Sequence, residues 1–137
     1  MNLLRFLTPK DQTHYLNDSS TVRQALEKFD YHKFTVVPLV DDDGHFVSTI
    51  SQGDILSFIK NHGGFNVDVA EDILVRDIPK YRSYKPLEIT ATGREAYELS
   101  MDQNFIPFVD GRGMYIGIVK RKDIISYLLY KFDIFED

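Results

Sequence analysis

One unit is written twice in this chain. Laying Pro38 on Pro107, 69 residues later, also lays Val40 on Val109, Asp41 on Asp110 and Gly44 on Gly113. The same shift continues through Asp54 and Asp123, Ile55 and Ile124, Ser57 and Ser126. Toward the N-terminus the shift becomes 71, pairing Leu16 with Leu87, Thr21 with Thr92, Arg23 with Arg94 and Ala25 with Ala96. Chance does not readily place Pro, Gly and Asp in one order at one spacing. A repeat constrains a fold more than any local propensity does. A sheet as small as one copy supplies cannot bury both its faces alone. The repeat therefore predicts two copies packed about a pseudo-two-fold axis, with a cleft where they meet.

Each copy reads as strand, helix, strand, turn, strand, helix. Val22, Ala25, Leu26 and Phe29 recur at helical spacing. Thr21 with Gln24, and Thr92 with Glu95 in the second copy, have the spacing of a capping box. Phe34 to Val40 is rich in β-branched and aromatic residues and reads as a buried strand. Its Pro38 must lie where the ladder asks for no N–H. Asp41-Asp42-Asp43-Gly44 reads as a hairpin turn with Gly44 at positive φ. Phe46 to Ile50 returns, and Ser51 opens a helix. In the second copy Phe105 to Val109, the turn Asp110-Gly111-Arg112-Gly113, and Tyr115 to Val119 repeat the plan, before a helix carrying Ile124, Ile125, Leu128 and Leu129. Asn61-His62-Gly63-Gly64 reads as a flexible break, followed by one short helix over Val69 to Leu74 that Asp77-Ile78-Pro79 ends.

Composition narrows the chemistry. There is no cysteine, hence no disulfide framework, thiol catalysis or thiolate zinc site. The net charge of −5 suits neither a nucleic-acid backbone nor an anionic membrane. The start, broken by Pro9, is too short for a secretory signal, and no apolar run is long enough to span a bilayer. A cytoplasmic protein with no membrane or nucleic-acid partner is expected. His14, His32, His45 and His62 lack metal-binding spacing, and Asp41-Asp42-Asp43 lacks the rest of a calcium loop. No nucleophile elbow or phosphate-binding Gly loop occurs. Neither metal, cofactor nor enzymatic activity is expected.

The residues just named resemble a pair of cystathionine-β-synthase (CBS) domains, a Bateman module. The resemblance rests on Val37-Pro38-Leu39-Val40-Asp41, Gly44 and Ser51-Gln52-Gly53-Asp54, and on Ile106-Pro107-Phe108-Val109-Asp110, Gly113 and Lys120-Arg121-Lys122-Asp123. It implies an α/β fold of tandem β-α-β-β-α repeats, with repeat 1 over 1–61, a linker over 62–80 and repeat 2 over 81–137. The chain is also similar to stand-alone bacterial CBS proteins, some of which sense cyclic di-AMP while others bind AMP or ATP. Asp77-Ile78-Pro79-Lys80-Tyr81 resembles the inter-repeat segment of the cyclic-di-AMP sensors.

What the resemblance implies for function is a regulatory sensor that binds AMP, ADP, ATP or cyclic di-AMP between its repeats. It would signal through a homodimer or a partner protein. The alternatives are an interaction subunit with vestigial sites, and slow hydrolysis of the bound nucleotide, against which the lack of a placed base argues. The resemblance carries two ligand sets over. The stronger joins Lys120, Arg121, Lys122 and Asp123 to Gln12, His14 and Leu16 on the first strand, and to Thr35 and Val36. The weaker joins Ser51 and Asp54 to Lys85, Leu87, Asn104 and Phe105. In the family the Asp takes a ribose diol, the residue that opens the motif contacts phosphate, and the strand residues hold adenine. Lys120 departs from the usual Thr or Ser, and favours more phosphate charge. The chemistry is sound, since helix N-termini favour anions. A purely structural reading stands beside it. Ser51 and Asp54 also spell a capping box, whereas Lys120 cannot accept an N–H, so Asp123 lacks that reciprocal explanation. Lys120-Arg121-Lys122 could likewise be a solvated basic face.

Overall fold

A computed structural model describes residues 3–32, 35–64 and 67–132, except the side chains of Val67 and Val69. Compactness divides the chain into two units, one of residues 14–83, the other of 1–13 with 84–137. The first unit contains β2 (Leu16–Asn17), α1 (Val22–His32), β3 (Val36–Val40), β4 (Phe46–Ser51), α2 (Gln52–Asn61) and α3 (Val67–Asp72). The second contains β1 (Thr8–Pro9), β5 (Leu87–Glu88), α4 (Gly93–Ser100), β6 (Phe105–Val109), β7 (Tyr115–Lys120) and α5 (Arg121–Phe132). Each copy thus has the predicted β-α-β-β-α order. The sheets run β2-β3-β4 and β1-β7-β6-β5.

The repeat persists at the level of single hydrogen bonds. Val36 faces Ser51 and Phe105 faces Lys120, and both hairpins carry a register shift, after Leu39 and after Phe108. The Asp41 Oδ1 accepts from the Asp43 and His45 amides at 3.0 and 2.9 Å. The Asp110 Oδ1 does the same for Arg112 and Met114 at 2.8 and 3.0 Å. Gly44 and Gly113 take the left-handed conformation these turns require, with φ of 93° and 80°. The Gln52 amide donates to the Thr35 carbonyl and the Arg121 amide to that of Asn104, both at 2.9 Å. Pro38 is tolerated inside a central strand because β2 meets β3 only at Leu39 and Val40.

Each copy has its own core. Phe29, Leu39, Ile50 and Ile55 centre the first; Ile106, Phe108, Val119 and Ile124 centre the second. Thr21 closes its capping box in both directions, at 2.9 Å from Thr21 N to Gln24 and 3.1 Å back. At α4 only the Thr92 half is made, from the Glu95 amide at 3.2 Å.

Several boundaries differ from the sequence reading. Phe34 lies outside the described residues, and Thr35 precedes β3. The first strand of copy one is only Leu16–Asn17. Gln12 instead ends a 3-10 turn over Lys10–Gln12, which Thr13 closes by donating from both N and Oγ1 to the Lys10 carbonyl. The short helix is Val67–Asp72, not 69–74. Much of segment 62–80 is structured on the first copy. Val22 N donates to Ile73 O, Val75 N to Ser20 O and Arg76 N to Asp18 O, so the returning chain caps the start of α1.

Residues up to Thr13, read as part of repeat 1, group with the second copy. β1 adds to the open edge of β7, Thr8 facing Ile118 and Pro9 facing Gly117. Leu3 is buried in the second core, and the Phe6 ring meets Tyr127 edge-on at 6.2 Å. The physical reason is an unpaired strand edge beside an apolar patch, which Leu3, Leu4, Phe6 and Leu7 cover. Among the described residues, no helix is long and apolar enough to cross a membrane.

Candidate functional site

The two carboxylates that the repeat makes equivalent are in different states. Asp54, 5% exposed, sits at the third position of α2. Its Oδ2 accepts from the Ser51 amide at 2.9 Å, and the Ser51 Oγ accepts from the Asp54 amide at 3.1 Å. Its Oδ1 accepts from the Tyr81 amide at 3.2 Å. Both oxygens are therefore engaged. The purely structural role weighed for Ser51 and Asp54 is realised in full.

Asp123, at the same place on α5, is half-buried. Among the described residues its carboxylate accepts no hydrogen bond and forms no ion pair. The reason is local. Lys120 stands where Ser51 stands in copy one, so no hydroxyl and carboxylate can exchange amides. Lys120 and Lys122 are exposed. Arg121 is partly committed: its Nε donates to the Ser100 carbonyl at 2.7 Å and so satisfies the C-terminal end of α4. Among the described residues its terminal guanidinium nitrogens have no hydrogen-bond partner. Two cations and one uncommitted carboxylate thus gather on the first turn of a twelve-residue helix, with Lys120 at the end of the strand that enters it.

The remaining residues of the stronger set divide between the units. Gln12 is exposed in the unit that holds Asp123. His14, Leu16, Thr35 and Val36 belong to the other. Leu16 is 1% exposed and packs in the first core, so only its main chain can serve a ligand. Thr35 is exposed and Val36 half-buried. The His14 ring lies against that of His32, tilted by 35°, with centroids 4.2 Å apart. Burial first, then the charges of His32 and Lys28, holds its imidazole below the ordinary histidine value.

The weaker set is tied up on its strand side as well. The buried Gln103 accepts from the Lys85 amide at 2.8 Å and donates to the carbonyls of Lys85 and Phe105. The Tyr84 ring lies 4.9 Å from that of Phe105, and the Asn104 amide donates to the Tyr84 hydroxyl at 3.3 Å. Leu87 is half-buried in the second core. The sequence reading does not name Tyr84, and names Tyr81 only as part of the inter-repeat segment. Their roles depend on partners 20 and 27 residues away. In the Asp41 turn, Asp41, Asp43 and His45 bring ligand atoms within 4.8 Å of one another. The main-chain amide of His45 is the largest of the influences that hold the Asp41 carboxyl below the usual range.

Comparison with known proteins adds an independent line. The CBS domain family model matches residues 9–61 and 70–130. A CBS domain protein of Streptococcus pneumoniae TIGR4 has a structure similar to this chain, with 26% identity, a TM-score of 0.80, and coverage of 93% of this chain and 86% of that one. The CbpB protein of Listeria monocytogenes, solved in complex with c-di-AMP, is 18% identical with a TM-score of 0.80, covering 97% and 98%. CBSX2 in complex with AMP is 24% identical with a TM-score of 0.72, covering 96% and 98%. No curated protein sequence matches the chain.

Proposed function

This chain belongs to the CBS domain family, with two repeats in tandem, and on that premise we propose that it is a regulatory protein that binds an adenine nucleotide at the Asp123 ligand set. The observation that carries the reading is the contrast between Asp54, with both oxygens engaged, and Asp123, which is uncommitted beside Lys120, Arg121 and Lys122. A carboxylate without internal partners is suited to a vicinal diol, and cations on a helix's first turn are suited to phosphate. Similar structures that hold c-di-AMP and AMP support the ligand class.

A homodimer is the assembly that relays occupancy. Tyr97, Met101, Ile125 and Phe132 are exposed on α4, its C-terminal end and α5. Gly93, Tyr97, Tyr127, Leu128 and Phe132 help line a groove of about 340 Å³ on the same two helices. Ligand then acts by favouring one arrangement of the chains over another.

A thermal-shift panel of AMP, ADP, ATP, cyclic di-AMP and S-adenosylmethionine tests the ligand. A nucleotide at 100 times its Kd adds about 2.7 kcal/mol, a rise of several degrees for a protein of this size. At least one adenine nucleotide is expected to give that rise. No shift with any of them, together with no retained nucleotide in native mass spectrometry, would instead favour an interaction subunit with vestigial sites.

A further inference from the structure

Arg121 makes a bond that its counterpart in the first copy does not. With the shift of 69 it corresponds to Gln52, and the two main-chain amides act alike, donating to the Asn104 and Thr35 carbonyls. The side chains differ. Gln52 is exposed and makes no side-chain hydrogen bond among the described residues. The Arg121 Nε donates to the Ser100 carbonyl at 2.7 Å.

The need for that bond arises where the copies lose register. The shift falls from 71 to 69 between the first helix and the first core strand, so the second copy is two residues shorter there. α4 ends at Ser100 after eight residues, whereas α1 runs for eleven. In the turn that follows, the Asp102 and Gln103 amides both donate to the Leu99 carbonyl, at 3.1 and 2.9 Å, and the Asn104 amide goes to the Tyr84 hydroxyl. Among the described residues no main-chain amide reaches the Ser100 carbonyl, and Ser100 is only 7% exposed. A buried carbonyl at a helix end needs a donor. Arg121 is that donor, and it closes the turn over 100–104 at both ends, with its amide on Asn104 and its side chain on Ser100.

The helices also meet at their other ends. Gly93, which opens α4, lies so near the Tyr127 ring of α5 that a Cβ would stand 2.7 Å from it. Tyr97, Met101 and Ile125 are exposed on this pair and on the end of α4. A guanidinium is planar and presents five N–H donors in a fixed fork. It can hold the Ser100 carbonyl through Nε and a phosphate through its terminal nitrogens at once, and each partner fixes its plane for the other.

We propose that Arg121 is a positioning residue that relays nucleotide binding to α4: phosphate on its terminal nitrogens holds its Nε on the Ser100 carbonyl and so fixes the end of α4. The inference rests on the nucleotide-binding reading above and adds the route by which occupancy reaches the helices assigned to the homodimer. The coupling is mutual by linkage, so a fixed α4 end strengthens binding by the same factor. Lysine carries the charge without the fork. It therefore serves phosphate and not the relay.

Amide hydrogen exchange with and without saturating nucleotide (AMP, ATP and cyclic di-AMP in turn) measures the relay. The Asp102 and Gln103 amides report opening of the α4 end. The Met114 amide, held by Asp110 in the same unit, reports stabilisation that does not pass through α4. In the parent, protection at Asp102 and Gln103 is expected to rise at least about fivefold more than at Met114. Arg121→Lys is expected to bind within about tenfold of the parent and to lose that excess rise. Arg121→Gln, which installs the residue the first copy carries, is expected to bind roughly ten- to a hundredfold more weakly and to lose it as well. Nucleotide bound to the parent without the excess rise overturns the relay and leaves the nucleotide reading intact. So does the same rise in either folded variant at saturation, because a merely structural Arg121 would not alter the nucleotide-dependent difference. A folded variant that binds no nucleotide at all makes Arg121 indispensable to binding itself and overturns the relay too. Should Arg121→Lys not fold, Arg121→Gln decides. No nucleotide bound by the parent overturns both readings.

Discussion

Replacing Gly117 by Ala is expected to strip the N-terminal segment from the second copy and to destabilise that unit by about 3 kcal/mol. Gly117 has φ +148°, a conformation that L side chains rarely adopt, and a Cβ there would stand 2.1 Å from the Thr8 carbonyl oxygen. That oxygen is main chain, held by pairing of β1 with β7. Neither partner can give way without breaking the pair. Copy one has Ser48 at the equivalent position, facing Leu39 in its own hairpin. Glycine is thus a demand of β1 and not of the repeat. The cost corresponds to roughly 2–8 °C in Tm per kcal/mol. Amide exchange should show residues 3–9 losing protection first, as a low-stability edge does. Gly111→Ala, whose Cβ would meet nothing within 4 Å, serves as the control, with an effect within about 0.5 kcal/mol. Equal Tm values for the two variants would contradict the described pairing.

Asp123→Ala is expected to weaken nucleotide binding ten- to a hundredfold and to leave the fold nearly as stable as before. Hydrogen bonds to a charged group are worth about 1.5–3 kcal/mol, and each 1.4 kcal/mol is about tenfold in affinity. The fold should tolerate the change because the Asp123 side chain has no internal partner among the described residues. Asp54→Ala should behave in the opposite way. It leaves the Ser51 and Tyr81 amides without their acceptor and breaks a complete capping box, a cost of about 2 kcal/mol in stability. Arg121→Ala lies between, since its Nε supports the Ser100 carbonyl while its terminal nitrogens, which have no hydrogen-bond partner among the described residues, are the expected phosphate donors. Calorimetry and thermal melts on the same preparations read the crossing pattern. If Asp54→Ala loses affinity and Asp123→Ala does not, the two sets have been ranked in the wrong order.

The parts of the fold legible in sequence are those set by residues close together in the chain. Pro38, Asp41, Gly44, Ser51 and Asp54 each act within a few positions, so their spacing sufficed to place the hairpin, its turn and the cap. The same reading works for Pro107, Asp110 and Gly113. What stayed illegible depends on distant partners. Nothing near Thr8 tells that it pairs with Ile118; the only trace is a glycine at 117 where copy one has Ser48. Asp54 and Asp123 look alike in their motifs, and what separates them is Tyr81, 27 residues from Asp54, together with the change from Ser51 to Lys120. Leu16 was carried over as a ligand contact because it aligns with a binding strand, yet its side chain lies in the core. Alternation along a two-residue strand is too short a pattern to tell the two faces apart.

The central claim is that an adenine nucleotide is held by the first turn of α5, and a crystal structure of the protein grown with saturating AMP, ATP or cyclic di-AMP tests it most directly. The account predicts ribose hydroxyls within hydrogen-bond distance of the Asp123 carboxylate, and phosphate oxygens against Arg121 and the flanking lysines, with Asp54 still bound to the Ser51 and Tyr81 amides. Nucleotide seated on Asp54 with Tyr81 displaced, or crystals in which neither carboxylate meets a ligand, would contradict it.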